Sequence, residues 1–279
     1  MNELVFEVEH VDYAYPGGAP ALRDISFEVS AGERLAILGA NASGKSTLLH
    51  LLDGLYFATA GSVVAFGAPL TEESVETPPF SRRFRRRVGF LFQNSDAQLF
   101  NARVEEELAF GPLQLGLEPQ EVQRRVDDML RMLGIEHLRD RSPQRLSGGE
   151  KKKVALGSLL TVGPRVLLLD EPSSGLDPRS QQWLVEFLEV LHSRGVTLVT
   201  ASHDLALVRE VAERALVLSE DHRVVFDGGA PDALGDLGLL LSVNLVHAHA
   251  HVHAAGAPDD GRVHVHPHRH DAGHEHPHG

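Results

Sequence analysis

Gly39, Gly44, Lys45 and Ser46 fall within the run Gly39-Ala40-Asn41-Ala42-Ser43-Gly44-Lys45-Ser46-Thr47, a G-x-x-x-x-G-K-S pattern. A loop of this kind turns successive backbone N–H groups toward one point, and the helix behind it adds its positive end, so the pair suits an anion. Lysine at the loop's end reaches terminal phosphates, and the hydroxyl of Ser46 suits Mg²⁺. A second chemical element closes the apolar run Val166-Leu167-Leu168-Leu169 with the carboxylates Asp170 and Glu171. Acids at the carboxyl end of a buried strand stand where open α/β sheets bind ligands. There Asp170 suits Mg²⁺, held through water, and Glu171 suits the polarisation of a water that attacks phosphorus. The third element, Leu146-Ser147-Gly148-Gly149-Glu150, opens a lysine-rich stretch. Ser147 fits an N-cap, and two glycines let the helix start lie close to a ligand. Each element alone has a bland reading as a turn, an acidic loop or a capped helix. Their order along the chain joins them.

To hold these groups together the chain needs a buried sheet. The runs near Leu35, Val166 and Val196 are almost wholly apolar, as strands covered on both faces of a parallel sheet are. Residues 4–8 and 25–29, separated by Pro16-Gly17-Gly18, read as antiparallel strands beside it; further strands are expected at 62–66, 88–92, 215–218 and 224–226. Between about Asp96 and Gly163 the β signal vanishes. There, Val122, Val126, Met129, Leu130 and Leu133 recur at helical spacing. The expectation is an α/β core interrupted by a helical insertion.

The 279 residues suffice for one large domain with an appendage, and a 42% apolar content supports a full core. No stretch approaches the roughly 20 apolar residues of a membrane span. Met1-Asn2-Glu3-Leu4 lacks the basic and apolar regions of a signal peptide. With no cysteine, disulfides and thiolate metal sites are excluded, which is compatible with a cytosolic location. The net charge of −13 argues against a general nucleic-acid binder.

With Gln93, Ser174-Gly175-Leu176-Asp177 and His203 added, the three elements resemble the full motif set of ABC-transporter ATPase subunits, in the family's order, over roughly residues 4–228. The resemblance implies a P-loop NTPase (RecA-like) core with flanking antiparallel strands and a helical subdomain at about 96–163. The whole would form an ATPase domain at 1–228, with a short extension at 229–246. It implies ATP and Mg²⁺ as cofactors. Tyr15 would stack on adenine, while Gly39, Asn41, Ser43, Gly44, Lys45, Ser46 and Thr47 hold phosphates. Ser46, Gln93 and Asp170 would serve Mg²⁺; Glu171 would activate water, and Lys45 and His203 would contact the γ-phosphate. Ser147, Gly148 and Gly149 would touch ATP held by an opposite subunit, with Asp177 at the seam, so an ATPase dimer is implied, either homodimeric or shared with a sister ATPase.

Two further segments, residues 92–100 and 104–112, together with 148–155, look like the energy-coupling-factor ATPases. That likeness implies a membrane scaffold subunit docked near Gln93 and Gln98, a substrate-binding membrane protein beside it, and a peripheral place on the cytoplasmic face of the cell membrane. Ala42 stands where the family usually has glycine, and Glu150 where glutamine is common.

Composition breaks at residue 247. Eleven of the 17 histidines follow: His247, His249, His251, His253, His264, His266, His268, His270, His274, His276 and His278. So little apolar surface cannot offset ordering entropy, so residues 247–279 are expected to be disordered. The H-x-H spacing and imidazole chemistry suit Ni²⁺, Co²⁺ or Zn²⁺; a low-complexity solubilising tail and an engineered remnant are the alternatives. The combined expectation is uptake of cobalt or nickel. Vitamin uptake with a metal-storing tail, or a soluble ABC protein outside transport, are the rivals. Arg82, Arg83, Arg85, Arg86 and Arg87 form a basic cluster, either a solvated helix face or a contact for lipid headgroups.

Overall fold

The computed structural model describes residues 3–251 and 264–268. A four-stranded antiparallel sheet holds β1 (Leu4–Ala14), β2 (Pro20–Ser30), β4 (Ala60–Ala65) and β5 (Ala68–Pro69), ordered β2-β1-β4-β5. The second sheet has six strands: β3 (Arg34–Leu38), β6 (Val88–Leu91), β7 (Val166–Asp170), β8 (Thr197–Ser202), β9 (Arg214–Leu218) and β10 (Val224–Gly229), ordered β10-β9-β3-β8-β7-β6. All neighbours in it are parallel except β10, which runs antiparallel to β9.

Central strands β7 and β8 are buried at every residue, which is why their sequences do not alternate. The two-residue period survives in where each side chain goes. Leu168 packs toward the antiparallel sheet with Phe6, Ile25, Ile37, Leu48 and Leu49. Leu167 and Leu169 face the opposite layer, with Leu108, Val126, Leu130, Val154 and Leu188. Each leucine so buried contributes roughly 2 kcal/mol of transfer free energy.

Between β6 and β7 only helices occur among the described residues: α4 (Ser95–Gln98), α5 (Val104–Gln114), α6 (Pro119–Leu133) and α7 (Gly148–Leu160) are the α-helices there. The stripe Val122, Val126, Met129, Leu130, Leu133 is the buried face of α6, and Gly134, at φ +65°, ends that helix in the left-handed conformation. Before β6 come α2 (Glu72–Glu76) and α3 (Pro78–Arg87). The helix α1 (Lys45–Leu52) leaves the phosphate-type loop and buries Leu48, Leu49, Leu51 and Leu52.

Beyond β7 lie α8 (Pro178–Ser193), α9 (Leu205–Val211), α10 (Ala230–Gly235) and α11 (Leu237–Ser242). The last two give the short C-terminal extension a structural job that its sequence did not reveal. Ala230, Ala233, Leu240, Val243, Leu245 and Val246 are buried against Leu38, Val208, Ala215 and Val217. They cover the sheet face beside β3 and β9.

Within the histidine-rich segment read as disordered, His247–His251 (β11) and His264–His268 (β12) form a two-stranded antiparallel ribbon, His247 opposite His268, His249 opposite His266 and His251 opposite His264. The H-x-H alternation matches the strand period. His253, His270, His274, His276 and His278 lie outside the described residues. No helix among the described residues is long and apolar enough to cross a membrane.

Candidate active site

Parallel pairing of β3 with β8, and of β8 with β7, brings the carboxyl ends of three strands side by side. The loop after β3, the acids ending β7 and the Ser202-His203 step ending β8 therefore meet at one edge. The loop 39–44 wraps the start of α1. Gly44 has φ +109°, and a Cβ there would sit 2.5 Å from the carbonyl oxygen of Ala21. Gly44→Ala must therefore displace β2 or the loop; we expect MgATP affinity at least tenfold weaker, measured by equilibrium nucleotide titration, and unchanged affinity would mean that the loop does not hold the nucleotide. Ala42, also left-handed at φ +65°, occupies its position at a cost of roughly 1 kcal/mol.

Lys45 is buried, and its Nζ donates to the carbonyl oxygens of Gly39 (2.8 Å) and Ala40 (3.0 Å) while standing 3.8 Å from Glu171 Oε1. Burial holds its pKa below the usual lysine range. Ser46 Oγ donates to Asp170 Oδ1 at 3.0 Å. Burial pushes the Asp170 carboxyl upward, a shift that the Ser46 hydrogen bond opposes. An anion beside Lys45 and a cation beside Asp170 would relieve both penalties. Ser43 Oγ is buried without a hydrogen-bond partner. The donor set therefore fits a phosphate with Mg²⁺, the oxygens of Ser46 and Asp170 being hard ligands of the kind Mg²⁺ takes.

Glu171 is buried, and its backbone takes φ +44° just past the strand. Its Oε1 lies 2.7 Å from His203 Nδ1, and its Oε2 accepts from Ser202 Oγ at 3.2 Å. The carboxylate is thus held at both oxygens.

A cavity of about 360 Å³ opens above the loop. Asn41, Ala42, Gly44, Lys45, Ser46 and Thr47 form its floor, Tyr15 and Ala21 one wall, and Gln93 and Glu171 another. The hydroxyls of Tyr15 and Thr47 are 2.9 Å apart, and Tyr15 packs edge-on to Tyr13 and Tyr56. Ser147, Gly148, Gly149 and Asp177 do not line this cavity. Ser147 caps α7: its N–H and Oγ both donate to Glu150 Oε2 at 2.8 Å, and it accepts from Glu150 N at 3.4 Å, a reciprocal capping box. Asp177 caps α8 by accepting from the N–H groups of Arg179 and Ser180. These two exposed helix starts adjoin each other, since a Cβ on Gly149 would meet Ser180 Oγ at 2.4 Å.

Three side chains framing the site were not anticipated. Ala21 walls the cavity because β2 crosses it. Ser202 grips Glu171, a role foreshadowed only by its place one residue before His203. Lys152 is buried, its pKa brought down to about 8 by that burial, and its Nζ donates to Gln93 O at 3.4 Å. Its only signal in sequence is its position beside the apolar Val154-Ala155-Leu156 stripe.

The sequence profile described as "ABC transporter" matches residues 22–174. The nickel import ATP-binding protein NikO of Rhodobacter capsulatus is 46% identical over 244 residues, 86% of this chain and 95% of that one. The energy-coupling factor transporter ATP-binding protein EcfA of Methanothermobacter thermautotrophicus is 38% identical over 241 residues, 86% of this chain and 76% of that one. Among solved structures, CbiO1 of Clostridium perfringens, part of the ABC transporter complex CbiONQ, superposes with a TM-score of 0.75 at 33% identity, over 87% of this chain and 95% of that one. The P-loop NTPase fold, the phosphate-type loop and these likenesses agree: the chain belongs to the ABC transporter ATP-binding family, as an ATPase subunit of the energy-coupling-factor kind.

Proposed function

We propose that this ATPase powers uptake of nickel or cobalt through separate membrane subunits, hydrolysing MgATP in a head-to-tail dimer. The observation that carries the hydrolytic reading is the convergence of Lys45, Ser46, Asp170, Glu171 and His203 at one sheet edge. Lys45 leaves its loop carbonyls for the β- and γ-phosphates, with the N–H groups of the 39–47 loop around them. Ser46, Asp170 and Gln93 would hold Mg²⁺, which supplies charge neutralisation at the phosphates. Glu171 orients and deprotonates the attacking water, and His203, braced on Glu171, holds the γ-phosphate. Ser147, Gly148 and Gly149, which do not line their own cavity, reach the nucleotide of the partner subunit, with Asp177 at the seam.

The chain works at the cytoplasmic face of the membrane through its partners. A groove of about 360 Å³ beside Gln93, edged by Gln98 and the exposed rings of Phe92, Phe100 and Phe110, receives the membrane scaffold subunit, which pairs with a substrate-binding membrane protein.

The metal reading is supported by the histidine tail and by the likeness to a nickel import ATP-binding protein. In the β11–β12 register His247, His249 and His251 stand opposite His268, His266 and His264, which places six histidines along one ribbon. The test compares the full chain with one ending at Val246. Truncation should leave MgATPase activity near normal and remove most Ni²⁺ and Co²⁺ binding in titration calorimetry. Because imidazole must be neutral to coordinate, binding by the full chain should weaken below about pH 6.5. Membrane vesicles carrying the full chain and its membrane subunits should accumulate radiolabelled nickel or cobalt when ATP is added. Absence of metal binding at neutral pH, or ATP-driven uptake of a vitamin in place of the cation, would overturn the metal assignment and leave the ATPase standing.

A further inference from the structure

The arginines of α3 have no task in the nucleotide site. From Thr77 to Ser95 there is no acidic residue, while five arginines occupy positions 82–87 in a chain whose net charge is −13. Arg85 is spoken for, its Nη1 donating at 2.8 Å to both the carbonyl and the carboxylate of the buried Asp53. Arg83 donates through Nε only to Pro79 O. The side chains of Arg82 and Arg86 are exposed and make no hydrogen bond or ion pair among the described residues.

The helix sorts these residues into stripes four apart. Phe80 and Phe84 stack with centroids 5.8 Å apart, and Phe84 is buried. Arg83 and Arg87 flank them, the guanidinium of Arg87 lying 5.0 Å from the centre of the Phe66 ring on the β4–β5 hairpin. Between α3 and that hairpin is a cavity of about 210 Å³ lined by Arg83, Arg87 and the rings of Phe66, Phe80 and Phe84, with no acidic lining residue. Arg82 and Arg86 form a separate outward stripe. Helix α3 runs directly into β6, whose Val88, Gly89 and Phe90 line the groove edged by Gln98 and Phe92 together with Arg85. The arginine face is therefore continuous with the groove assigned to the membrane scaffold subunit.

We propose that this cavity takes the headgroup of an anionic phospholipid, with the phosphate between Arg83 and Arg87 and the glycerol and first methylenes against the phenylalanine rings, while Arg82 and Arg86 meet neighbouring headgroups. The proposal rests on the reading of the adjoining groove as the seat of the membrane scaffold subunit, which would bring this face toward the bilayer. An anion bound between guanidiniums is shared chemistry with free phosphate, but the aromatic wall has a use only for a ligand that carries an apolar stem. The chain's overall negative charge does not prevent the contact, because charges more than about 8 Å away are screened at physiological ionic strength.

Sedimentation of the full chain with vesicles tests this, with EDTA present so that the histidine tail carries no metal. Vesicles of equal parts phosphatidylglycerol and phosphatidylcholine should bind it, and phosphatidylcholine alone should not. At roughly fivefold for each basic side chain near an anionic surface, the triple variant Arg82→Gln/Arg83→Gln/Arg86→Gln should bind the mixed vesicles on the order of 100-fold more weakly. Arg87→Gln, which leaves the outward stripe intact, should also weaken binding. MgATPase activity in solution should be unchanged in both variants, which shows that they fold. Equal binding to neutral vesicles, no loss in the triple variant, or displacement by inorganic phosphate at the concentration of the lipid phosphate would overturn the proposal. So would loss of the membrane scaffold subunit on purification with vesicle binding intact, since the face would then belong to a protein partner. None of these outcomes touches the hydrolytic reading, which fails only if the unmodified chain does not hydrolyse MgATP.

Discussion

Glu171→Gln should bind MgATP as the unmodified chain does and turn it over roughly 10²–10⁴ times more slowly, the usual worth of a positioned general base. The geometry makes the comparison clean. Glutamine keeps the shape of the side chain and can still accept from Ser202 Oγ, now 3.2 Å from Oε2, so the strand end and the cavity wall should stand. What disappears is the negative charge 3.8 Å from Lys45 and 2.7 Å from His203 Nδ1. Nucleotide affinity should hold or rise, because a buried carboxylate no longer faces an incoming polyphosphate. Equilibrium binding and phosphate release, measured on the same preparation, separate the two effects. Near-normal phosphate release would remove Glu171 from the role of base and leave Asp170 or a substrate oxygen as the remaining acceptor.

Most of this site was legible in the residues because its parts are local. The glycines, Lys45 and Ser46 sit within one loop, and an apolar run ending in two acids announces a buried strand with charge at its tip. The central strands β3, β7 and β8 could be placed because continuous burial leaves continuous apolar sequence. What stayed hidden depends on contacts between distant segments. Ala21 walls the cavity only because β2 crosses the loop, and Lys152 meets Gln93 only because α7 packs under the end of β6. The packing of α10 and α11 was hidden for another reason. Each has only six residues, too few for a periodic stripe to stand out, although Ala230, Ala233 and Leu240 are buried in the core. Basic residues in a row carry no information about their surroundings. It took the Phe66, Phe80 and Phe84 rings around Arg83 and Arg87 to turn a charged helix face into a candidate site.

The proposal that two chains share each ATP is tested most directly by mixing two inactive variants. Ser147→Arg places a long cation at an exposed helix start outside its own cavity. Losing the cap costs roughly 1 kcal/mol, too little to unfold the domain, and each subunit should still bind ATP. Lys45→Ala removes the ammonium from the loop of its own cavity. Either variant alone should show no turnover, because every site in its dimers carries the defect. A mixed dimer holds one site with both defects and one with neither. In a symmetric pair, equal mixing makes half the dimers mixed, and each of those has one intact site of two, so the mixture should recover about a quarter of the unmodified activity. No recovery on mixing, with both variants folded and exchanging subunits, would contradict a site built from Lys45 of one chain and Ser147 of the other.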